Sequence, residues 1–407
     1  MSNVIIIGAG AAGMMAAHAA LSCGHKVTIL EKNEKCGKKI YITGKGRCNL
    51  ANNCDASEFF DKVVSNPKFL FSSIYTLTPE QTLDLFQNEF RLPIKTERGG
   101  RVFPVSDKSS DVIKALEKNI RFLGADIKLN TKVIYISKEN DTFFVETDRG
   151  KYQSDAVIVA TGGLSYPSCG STGDGYTFAK EFGHKITATY PALVPLNTKD
   201  EWPKTLQGLA LRNVSARFVY NNRTIYEDFG EMLFTHFGVS GPIVLTASSY
   251  IAKYKTNDID MFIDCKPALS FEELECRIER DFSEQRNIHF SNSLKRLLPS
   301  RLINVIVDMS NIRADKPVKQ ISPAEISSLA HLIKNIPLRI NGTRQYNEAI
   351  ITGGGVNVKE INPSTMESKL VKNLYYAGEM IDVDAVTGGY NLQIAWSTGY
   401  TAGINIQ

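Results

Sequence analysis

The sequence predicts an α/β protein in which a parallel-sheet nucleotide-binding domain is interrupted by a β-rich insertion and a small helical insertion. Three observations support this class: a glycine-rich strand–turn–helix pattern at the start, strand-like alternation in the middle, and a second glycine-rich pattern at the end. We expect the nucleotide-binding domain to comprise residues 1–190 and 350–407. The β-rich insertion is expected over residues 191–268 and 336–349, and the helical insertion over residues 269–335.

The first segment has the pattern of a dinucleotide-binding site. An apolar β-branched run at residues 4–7 predicts a buried parallel strand, and the string GAGAAG at residues 8–13 predicts a turn into a helix. A second strand over residues 26–30 ends at Glu31, about 20 residues beyond the glycines, where a carboxylate can bond a ribose hydroxyl. The combination indicates a Rossmann-like site, because a turn that only packs a helix on a strand leaves the acid unexplained.

Two further segments have the composition of ligand-binding edges of the same sheet. Residues 155–163 form an apolar run that ends in a threonine and two glycines, whose small size lets the chain pass over a ligand. Residues 374–379 form another apolar run, which ends at Glu379, and a glycine turn then leads into the C-terminal helix. The acid can accept hydrogen bonds from ribityl hydroxyls, and the helix N-terminus can stabilise negative charge on a flavin ring.

Length, charge and cysteine content limit the class of protein. The chain has 407 residues, a net charge of +4 and seven cysteines. The weak charge does not indicate nucleic-acid binding, and an odd number of cysteines without a CxxC pair favours a reducing compartment. The sequence has no apolar run near the roughly 20 residues of a membrane span and no signal-peptide pattern before the first strand. We therefore expect a cytoplasmic protein that does not bind membranes and is not, on charge alone, a nucleic-acid binder.

The middle of the chain changes character twice. Residues 191–267 alternate apolar and polar residues as strands do, which predicts a small β domain. Residues 269–335 have helical periodicity, and capping-box patterns begin at Ser270 and Ser322, each with a glutamate three residues later. The apolar faces of these helices are more typical of a core than of a partner-binding groove.

Several motifs together resemble one family of flavoproteins. The distinctive strings are GKKIYITGKGRCN at residues 37–49, GRVFP at residues 100–104, LFTHFGVSGP at residues 233–242 and GGYNLQ at residues 388–393. They are similar to the bacterial YhiN/BaiN-type NAD(P)/FAD-dependent oxidoreductases, within the FAD-binding superfamily of glutathione reductase and fumarate reductase. The resemblance spans the chain and implies a Rossmann-like FAD-binding domain interrupted by a β-barrel-like domain and a small helical domain.

The resemblance also assigns residues to the cofactor. The first glycine turn is expected to hold the pyrophosphate, Glu31 the adenosine ribose, Val133 adenine, Glu379 the ribityl chain, and the last glycine turn the isoalloxazine. The full set of expected FAD-binding residues is Gly8, Gly10, Ala11, Ala12, Gly13, Glu31, Lys32, Lys39, Gly44, Gly46, Arg47, Cys48, Asn49, Val133, Ala160, Thr161, Gly162, Asp174, Gly378, Glu379, Gly389, Tyr390, Asn391, Leu392 and Gln393. NAD(P)H is a candidate transient electron donor, although the sequence contains no second dinucleotide fingerprint, and no metal-binding pattern of His and Cys is present.

Two residues are candidate catalytic groups. His236 lies in a loop with glycine and proline, where an imidazole can donate a proton beside a flavin; the alternative is a histidine that holds the loop through a backbone hydrogen bond. Arg101 follows a Gly-Gly turn and can clamp a substrate carboxylate, but a surface role or contact with the FAD phosphates explains it equally well. Cys48 and Cys54 are spaced C-x5-C, which favours a packed thiol over a redox-active disulfide.

These observations favour an FAD-dependent oxidoreductase that transfers hydride through flavin N5 to or from a small organic substrate. One alternative is a flavin-dependent RNA-modifying or RNA-binding protein, suggested by the basic loop at residues 35–47 and a pI of about 8.5. Another is a flavin-bound regulatory protein without turnover. The sequence identifies neither the substrate nor the oligomeric state.

Overall fold

A computed structural model describes residues 1–254 and 256–407. The chain forms two compact units: Met1–Ala192 together with Gln345–Gln407, which we call the sheet unit, and Leu193–Arg344, which we call the barrel unit.

The strands are short in the sheet unit and longer in the barrel unit. In chain order they are β1 (Asn3–Ile7), β2 (Lys26–Leu30), β3 (Ala51–Asn52), β4 (Val63–Ser65), β5 (Ile94–Glu97), β6 (Arg101–Pro104), β7 (Asp126–Lys128), β8 (Val133–Glu139), β9 (Thr142–Thr147), β10 (Gly150–Ser154), β11 (Ala156–Val159), β12 (Tyr190–Ala192), β13 (Leu196–Thr198), β14 (Ala210–Tyr220), β15 (Arg223–Phe234), β16 (Gly238–Ser240), β17 (Ile259–Asp264), β18 (Ile336–Thr343), β19 (Ile351–Gly353), β20 (Leu374–Tyr376) and β21 (Asp384–Ala385).

The helices range from single turns to the long helix at the C-terminus. In chain order they are α1 (Ala11–Ser22), α2 (Lys38–Ile42), α3 (Ala56–Phe59), α4 (Phe71–Thr76), α5 (Pro79–Asp84), α6 (Ser109–Phe122), α7 (Asp174–Glu181), α8 (Trp202–Thr205), α9 (Pro242–Ile251), α10 (Phe271–Glu284), α11 (Phe290–Ser293), α12 (Ser300–Met309), α13 (Pro323–Lys334) and α14 (Tyr390–Ile404).

The sheet unit is built on five strands in the order β20-β11-β1-β2-β7. Every neighbouring pair is parallel, and Ile5 at the centre lies opposite Val157 on one side and Thr28 on the other. Strand β11 is buried at every position, as its apolar β-branched composition predicts for the centre of a parallel sheet. Smaller antiparallel sheets surround it, with strand orders β10-β9-β8, β3-β6-β5, β12-β19 and β21-β4.

The first and last helices of the chain lie against each other with their backbones in close approach. A Cβ at Gly399 would lie 2.3 Å from the Ala12 carbonyl oxygen, and one at Gly403 would lie 2.5 Å from the Ala16 carbonyl oxygen. Only glycine fits at both positions, because any side chain would displace the backbone of α1. This packing joins the two segments of the sheet unit that the barrel unit separates in the sequence.

Six strands of the barrel unit close into a barrel in the order β13-β16-β15-β14-β17-β18. Strand β13 closes it by pairing with both β16 and β18. Helices α10, α12 and α13 share one hydrophobic core with the barrel, so that Phe218 and Ile263 belong to the same buried cluster as Leu274 and Leu329. The expected division at residues 268 and 269 therefore crosses a continuous core. The β-barrel within a mixed α/β chain confirms the predicted fold class.

Both predicted capping boxes are present. Ser270 accepts a hydrogen bond from the Glu273 amide at 3.1 Å, and the Glu273 carboxylate accepts one from the Ser270 amide at 2.7 Å. Ser322 and Glu325 repeat the arrangement at the start of α13. Each box satisfies two amides that the first turn of a helix leaves without partners.

In the part of the chain that the structure describes, no helix has the length and apolar character needed to cross a bilayer.

Candidate functional site

A groove follows the carboxyl-terminal edge of the parallel sheet in the sheet unit. It has an empty volume of about 1230 Å³. Strands β1, β2, β11 and β20 all end at it, and this edge is where ligands bind to open α/β sheets. The residues of the predicted cofactor set that line the groove are Gly8, Gly10, Ala11, Ala12, Glu31, Lys32, Lys39, Val133, Ala160, Thr161, Gly162, Asp174, Gly378, Glu379, Asn391 and Leu392.

The first glycine turn has an open space above the start of α1. Gly8 has a φ of +102°, and a Cβ there would lie 2.6 Å from the Ala160 carbonyl oxygen. A Cβ at Gly13 would lie 1.9 Å from the Gly8 carbonyl oxygen, so Gly13 packs the helix on the strand. At Gly10, by contrast, a Cβ would meet nothing within 4 Å among the described residues. Gly10, Ala11 and Ala12 line the groove at the start of α1, and free space at a helix N-terminus suits a bound phosphate.

One end of the groove is formed by Glu31 and the residues around it. The Glu31 side chain is buried, and its two oxygens accept hydrogen bonds from the Ala9 and Asn33 amides, both at 2.8 Å. Oε1 also accepts from Asn33 Nδ2 at 2.6 Å, so Oε2 is the oxygen that keeps a lone pair for a further donor, such as a ribose hydroxyl. Lys32 forms an ion pair with Asp174 at 2.7 Å, and both side chains are about three-quarters buried, with 24% and 25% exposed.

Lys39 and Glu379 form an ion pair that lines the groove. Glu379 Oε1 also accepts hydrogen bonds from Ser165 Oγ at 2.7 Å and from the Thr352 amide at 2.9 Å. Only 13% of the Glu379 side chain is exposed, and the three donors offset the cost of burying its charge. A fixed carboxylate thus follows β20, where the sequence predicts a partner for ribityl hydroxyls.

The start of α14 is held in place by the turn that precedes it. Gly388 and Gly389 have φ values of +129° and +102°, and a Cβ at Gly389 would lie 2.4 Å from the Ala51 backbone. Asn391 Nδ2 donates to the Ala385 carbonyl at 2.7 Å, and Asn391 Oδ1 accepts from the Ala385 amide at 2.9 Å. These contacts fix the N-terminus of α14 beside the groove, which Asn391 lines.

Nine predicted cofactor residues are not among those that line the groove, and their roles with FAD stay predictions. These are Gly13, Gly44, Gly46, Arg47, Cys48, Asn49, Gly389, Tyr390 and Gln393. Arg47 forms ion pairs with Glu97 and Asp107. Its hydrogen bond lowers the pKa of Glu97, and hydrogen bonds from Lys95 and then from Arg47 lower the pKa of Asp107. Gln393 is fully buried and donates through Nε2 to Thr82 Oγ1 at 2.7 Å.

The two candidate catalytic residues are both exposed, one in each unit. His236 lies at the tip of the turn between β15 and β16 in the barrel unit. That turn is closed by the Thr235 amide, which donates to the Gly238 carbonyl at 2.8 Å, and by Thr235 Oγ1, which accepts from the Gly238 amide at 3.1 Å. Arg101 begins β6 in the sheet unit and donates through Nε to the Arg98 carbonyl at 3.2 Å.

All seven cysteines are free thiols. Cys48 is fully buried, and burial raises the pKa of its thiol to about 12. Burial also raises the pKa of Cys54 above its usual value. Thiolate is the reactive form of cysteine, so both pKa shifts favour the packed-thiol interpretation over a redox-active pair.

Sequence reasoning missed the residues that support the two acids. Asn33, Ser165 and Thr352 carry no motif of their own, and Thr352 lies 187 residues from Ser165 in the sequence. The nearest signal was Gly163, which belongs to the glycine-ended strand and lies against Thr352. Within residues 1–254 and 256–407, no group of three His, Cys, Asp or Glu side chains is arranged to hold a metal ion.

Known proteins resemble this chain over nearly its whole length. A family model described as HI0933-like protein Rossmann domain matches residues 2–405. A 3-dehydro-bile acid delta(4,6)-reductase of Clostridium scindens is 33% identical over 99% of this chain and 98% of its own. A ribosomal RNA dihydrouridine synthase of Escherichia coli is 31% identical over 98% of this chain and 96% of its own. The solved structure of 3-ketosteroid delta1-dehydrogenase from Sterolibacterium denitrificans aligns with 99% of this chain and 98% of its own at a TM-score of 0.53, and its 12% identity supports a likeness of fold alone.

The groove fits FAD on the evidence of its own shape and donors. The open space above Gly10 can take a pyrophosphate at the start of α1, and Glu31 and Glu379 supply acceptors for hydroxyl groups. The resemblance to YhiN/BaiN-type flavoproteins is confirmed by the family match and by the reductase relative. The protein is an FAD-dependent oxidoreductase, and the chain belongs to the HI0933-like Rossmann family.

Proposed function

We propose that this protein uses FAD to reduce a carbon–carbon double bond that is conjugated with a carbonyl group. The observation that carries the proposal is that relatives with unlike substrates are named for this one type of reaction. A delta(4,6)-reductase of 3-dehydro-bile acids saturates a carbonyl-conjugated alkene, and a dihydrouridine synthase saturates the C5=C6 bond of uracil, which is conjugated with the C4 carbonyl.

The residues of the groove would bind the cofactor, and its isoalloxazine ring would stay accessible to the substrate. The start of α1 would hold the pyrophosphate, Glu31 the adenosine ribose and Glu379 the ribityl hydroxyls. FAD, when bound and reduced, supplies a hydride from N5.

The protein has a second task, because the carbon next to the carbonyl must receive a proton. We assign this role to His236, the exposed imidazole in the turn between β15 and β16, since histidine is the side chain that most often acts as a general acid. Arg101 would bind a carboxylate on an acidic substrate through its guanidinium group.

We propose NAD(P)H as the electron donor. We also propose that the protein is located in the cytoplasm, because its seven cysteines are free thiols, as is usual in a reducing compartment.

The test is an anaerobic titration of the purified holoprotein with NADH and with NADPH, followed by addition of a 4,6-dien-3-one steroid acid or a simple enone. We expect one nucleotide to bleach the long-wavelength flavin absorbance, and the enone to restore it with stoichiometric formation of the saturated ketone. If enones do not reoxidise the reduced flavin, the proposal is contradicted. If an amine or an alcohol reduces the flavin instead, the protein is a dehydrogenase of that substrate.

A second candidate substrate is a uridine in RNA. The relative from Escherichia coli favours it, and so do Arg98 and Arg101, which are exposed on the β5–β6 hairpin and form no ion pair within the described residues. We expect a uridine-containing RNA to bind with an affinity that falls as salt rises, and Arg98→Gln/Arg101→Gln to weaken binding and reduce that salt dependence.

The matched control for the RNA experiment is Lys180→Gln/Lys359→Gln, which removes the same charge from exposed positions elsewhere in the sheet unit. Dihydrouridine formation is followed as loss of the uracil ultraviolet absorbance. If RNA is neither bound nor reduced while an enone is reduced, the small-molecule substrate stands and the RNA candidate is dismissed.

A further inference from the structure

Two residues that do not line the groove, Ser165 and Thr352, donate hydrogen bonds to the Glu379 carboxylate. Its carboxylate faces the groove, whereas Ser165 and Thr352 lie beneath it and are fully buried. Ser165 follows the glycine-ended strand β11, and Thr352 lies in the middle of β19. Neither residue has a role in the sequence motifs, and hydroxyls with no exposure need partners for both their proton and their lone pairs.

The hydrogen bonds around these hydroxyls have only one consistent direction. Thr352 Oγ1 accepts from the Leu164 amide at 2.8 Å and from the Ser165 amide at 3.0 Å, which uses both of its lone pairs. Ser165 Oγ lies 2.7 Å from Glu379 Oε1, and because an ionised carboxylate only accepts, the serine donates. The Thr352 hydroxyl must therefore donate its proton to Ser165 Oγ, 2.8 Å away.

The result is a one-way relay from two backbone amides through Thr352 and Ser165 to Glu379. The Thr352 amide adds a separate hydrogen bond to the same carboxylate oxygen at 2.9 Å, and Lys39 occupies the other oxygen. Together these donors fix the rotation of the carboxylate and leave one lone pair free, on Oε2, which points in a direction set before any ligand arrives.

Gly163 makes the close approach possible. A Cβ at this position would lie 2.5 Å from Thr352 Oγ1 and 3.2 Å from Glu379 Oε1. Even an alanine would have to push the threonine hydroxyl out of the relay, since real Cβ atoms do not approach other atoms so closely.

We propose that Ser165 and Thr352 are positioning residues for FAD, which orient the Glu379 carboxylate to accept a hydrogen bond from the ribityl chain. Neither residue lines the groove; they act through Glu379 and through Lys39, whose Nζ donates to Ser165 Oγ at 3.4 Å. This inference rests on the placement of FAD in the groove, but not on the substrate or the electron donor.

The test measures the affinity of flavin-free protein for FAD, by quenching of FAD fluorescence. The affinity for ADP is measured by its competition with FAD. We expect Ser165→Ala to weaken FAD binding about tenfold, because a hydrogen bond to the charged carboxylate is lost. Thr352→Val should also weaken it, because Ser165 Oγ then loses the donor that directs its own proton to Glu379. Thr352→Ser keeps the hydroxyl and should restore most of the affinity. ADP lacks the ribityl chain, so its affinity should stay within twofold of the wild-type value in all three variants.

The control variant is Ser73→Ala, which also removes a fully buried serine hydroxyl from the sheet unit but not from the relay. It should leave FAD affinity unchanged. Equal loss of FAD and ADP affinity in Ser165→Ala, or FAD affinity within twofold of wild type, would overturn the inference. A wild-type protein that binds FAD tightly but reduces no enone or uridine would instead contradict the proposed function and leave this inference intact.

Discussion

At the scale of single residues, Lys45 has a left-handed backbone conformation, which glycine adopts more readily than lysine does. Its φ is +57°, and it is exposed between Gly44 and Gly46, which are also left-handed. A side chain in this region costs about 1 kcal/mol relative to glycine, part of which the greater entropy of unfolded glycine offsets. We expect Lys45→Gly to raise the free energy of unfolding by about 0.5 kcal/mol, measured by urea denaturation of flavin-free protein.

The control for this prediction is Lys45→Ala, which removes the charge but keeps the Cβ. It should give no gain in stability. If alanine stabilises the protein as much as glycine does, the benefit comes from removal of the lysine charge from the loop, and the backbone is not strained.

His236 provides the functional prediction at this scale. If it supplies the proton to the substrate, His236→Gln should lower the turnover of an enone by about 100-fold, the lower range for loss of a general acid. Reduction of the flavin by the nicotinamide donor should keep its wild-type rate in a stopped-flow experiment, because that half-reaction needs no proton from the protein. Unchanged enone turnover would exclude His236 as the donor and return it to a surface role.

At the scale of elements, the N-terminus of α10 depends on its capping box. Ser270→Ala removes the acceptor for the Glu273 amide and should lower the free energy of unfolding by about 1 kcal/mol, as measured by chemical denaturation. Ser283→Ala serves as the matched control, since Ser283 is exposed near the end of the same helix and bonds only the Arg280 carbonyl. We expect that control to change stability by less than about 0.5 kcal/mol. Equal effects of the two substitutions would mean that the cap contributes nothing specific.

Local elements were predictable from the sequence to the extent that their signals are local. The glycine turn after β1 and the capping boxes of α10 and α13 follow from adjacent residues, and the structure has them where the sequence indicates. Closure of the barrel was not derivable, because β13 pairs with β16 and β18, which are distant in the sequence. Alternation predicts strands but does not specify their partners.

The residues of the candidate site also fall into two groups, those that local sequence patterns predict and those that come together only in the fold. The glycines and the acids at the ends of β2 and β20 were predictable because nucleotide binding places those residue types at fixed offsets. The residues that orient the acids were not, since Ser165 and Thr352 meet only after the chain has completed the barrel unit. The ion pairs of Arg47 with Glu97 and Asp107 are a similar case, because opposite charges 50 and 60 residues apart carry no pairing signal in one sequence.

At the scale of the whole molecule, stability should depend on pH through two histidines buried in the sheet unit. His18 lies 2.9 Å from Asn119 Oδ1, and His184 lies 2.8 Å from Ser368 Oγ through Nε2. Burial lowers the pKa of both imidazoles below 6.5, against the opposing effects of Glu89 on His18 and Glu360 on His184. The folded protein therefore binds fewer protons at these sites than the unfolded chain does below pH 6.5.

The sign follows from this difference in proton binding. As pH falls through 6.5, protonation stabilises the unfolded chain first, so the free energy of unfolding should decrease between pH 7.5 and pH 5.5, by at most about 1.4 kcal/mol per histidine for each pH unit below the unfolded pKa. Carboxyls with lowered pKa values, such as Glu97, titrate at lower pH and do not obscure this window.

Urea denaturation of flavin-free protein at the two pH values measures the effect. His18→Gln/His184→Gln should flatten the pH dependence, even though it lowers stability at both pH values by disturbing buried hydrogen bonds. A double variant that retains the full decrease would place the titrating groups elsewhere, with the partly exposed His25, whose pKa is also lowered, as the next residue to replace.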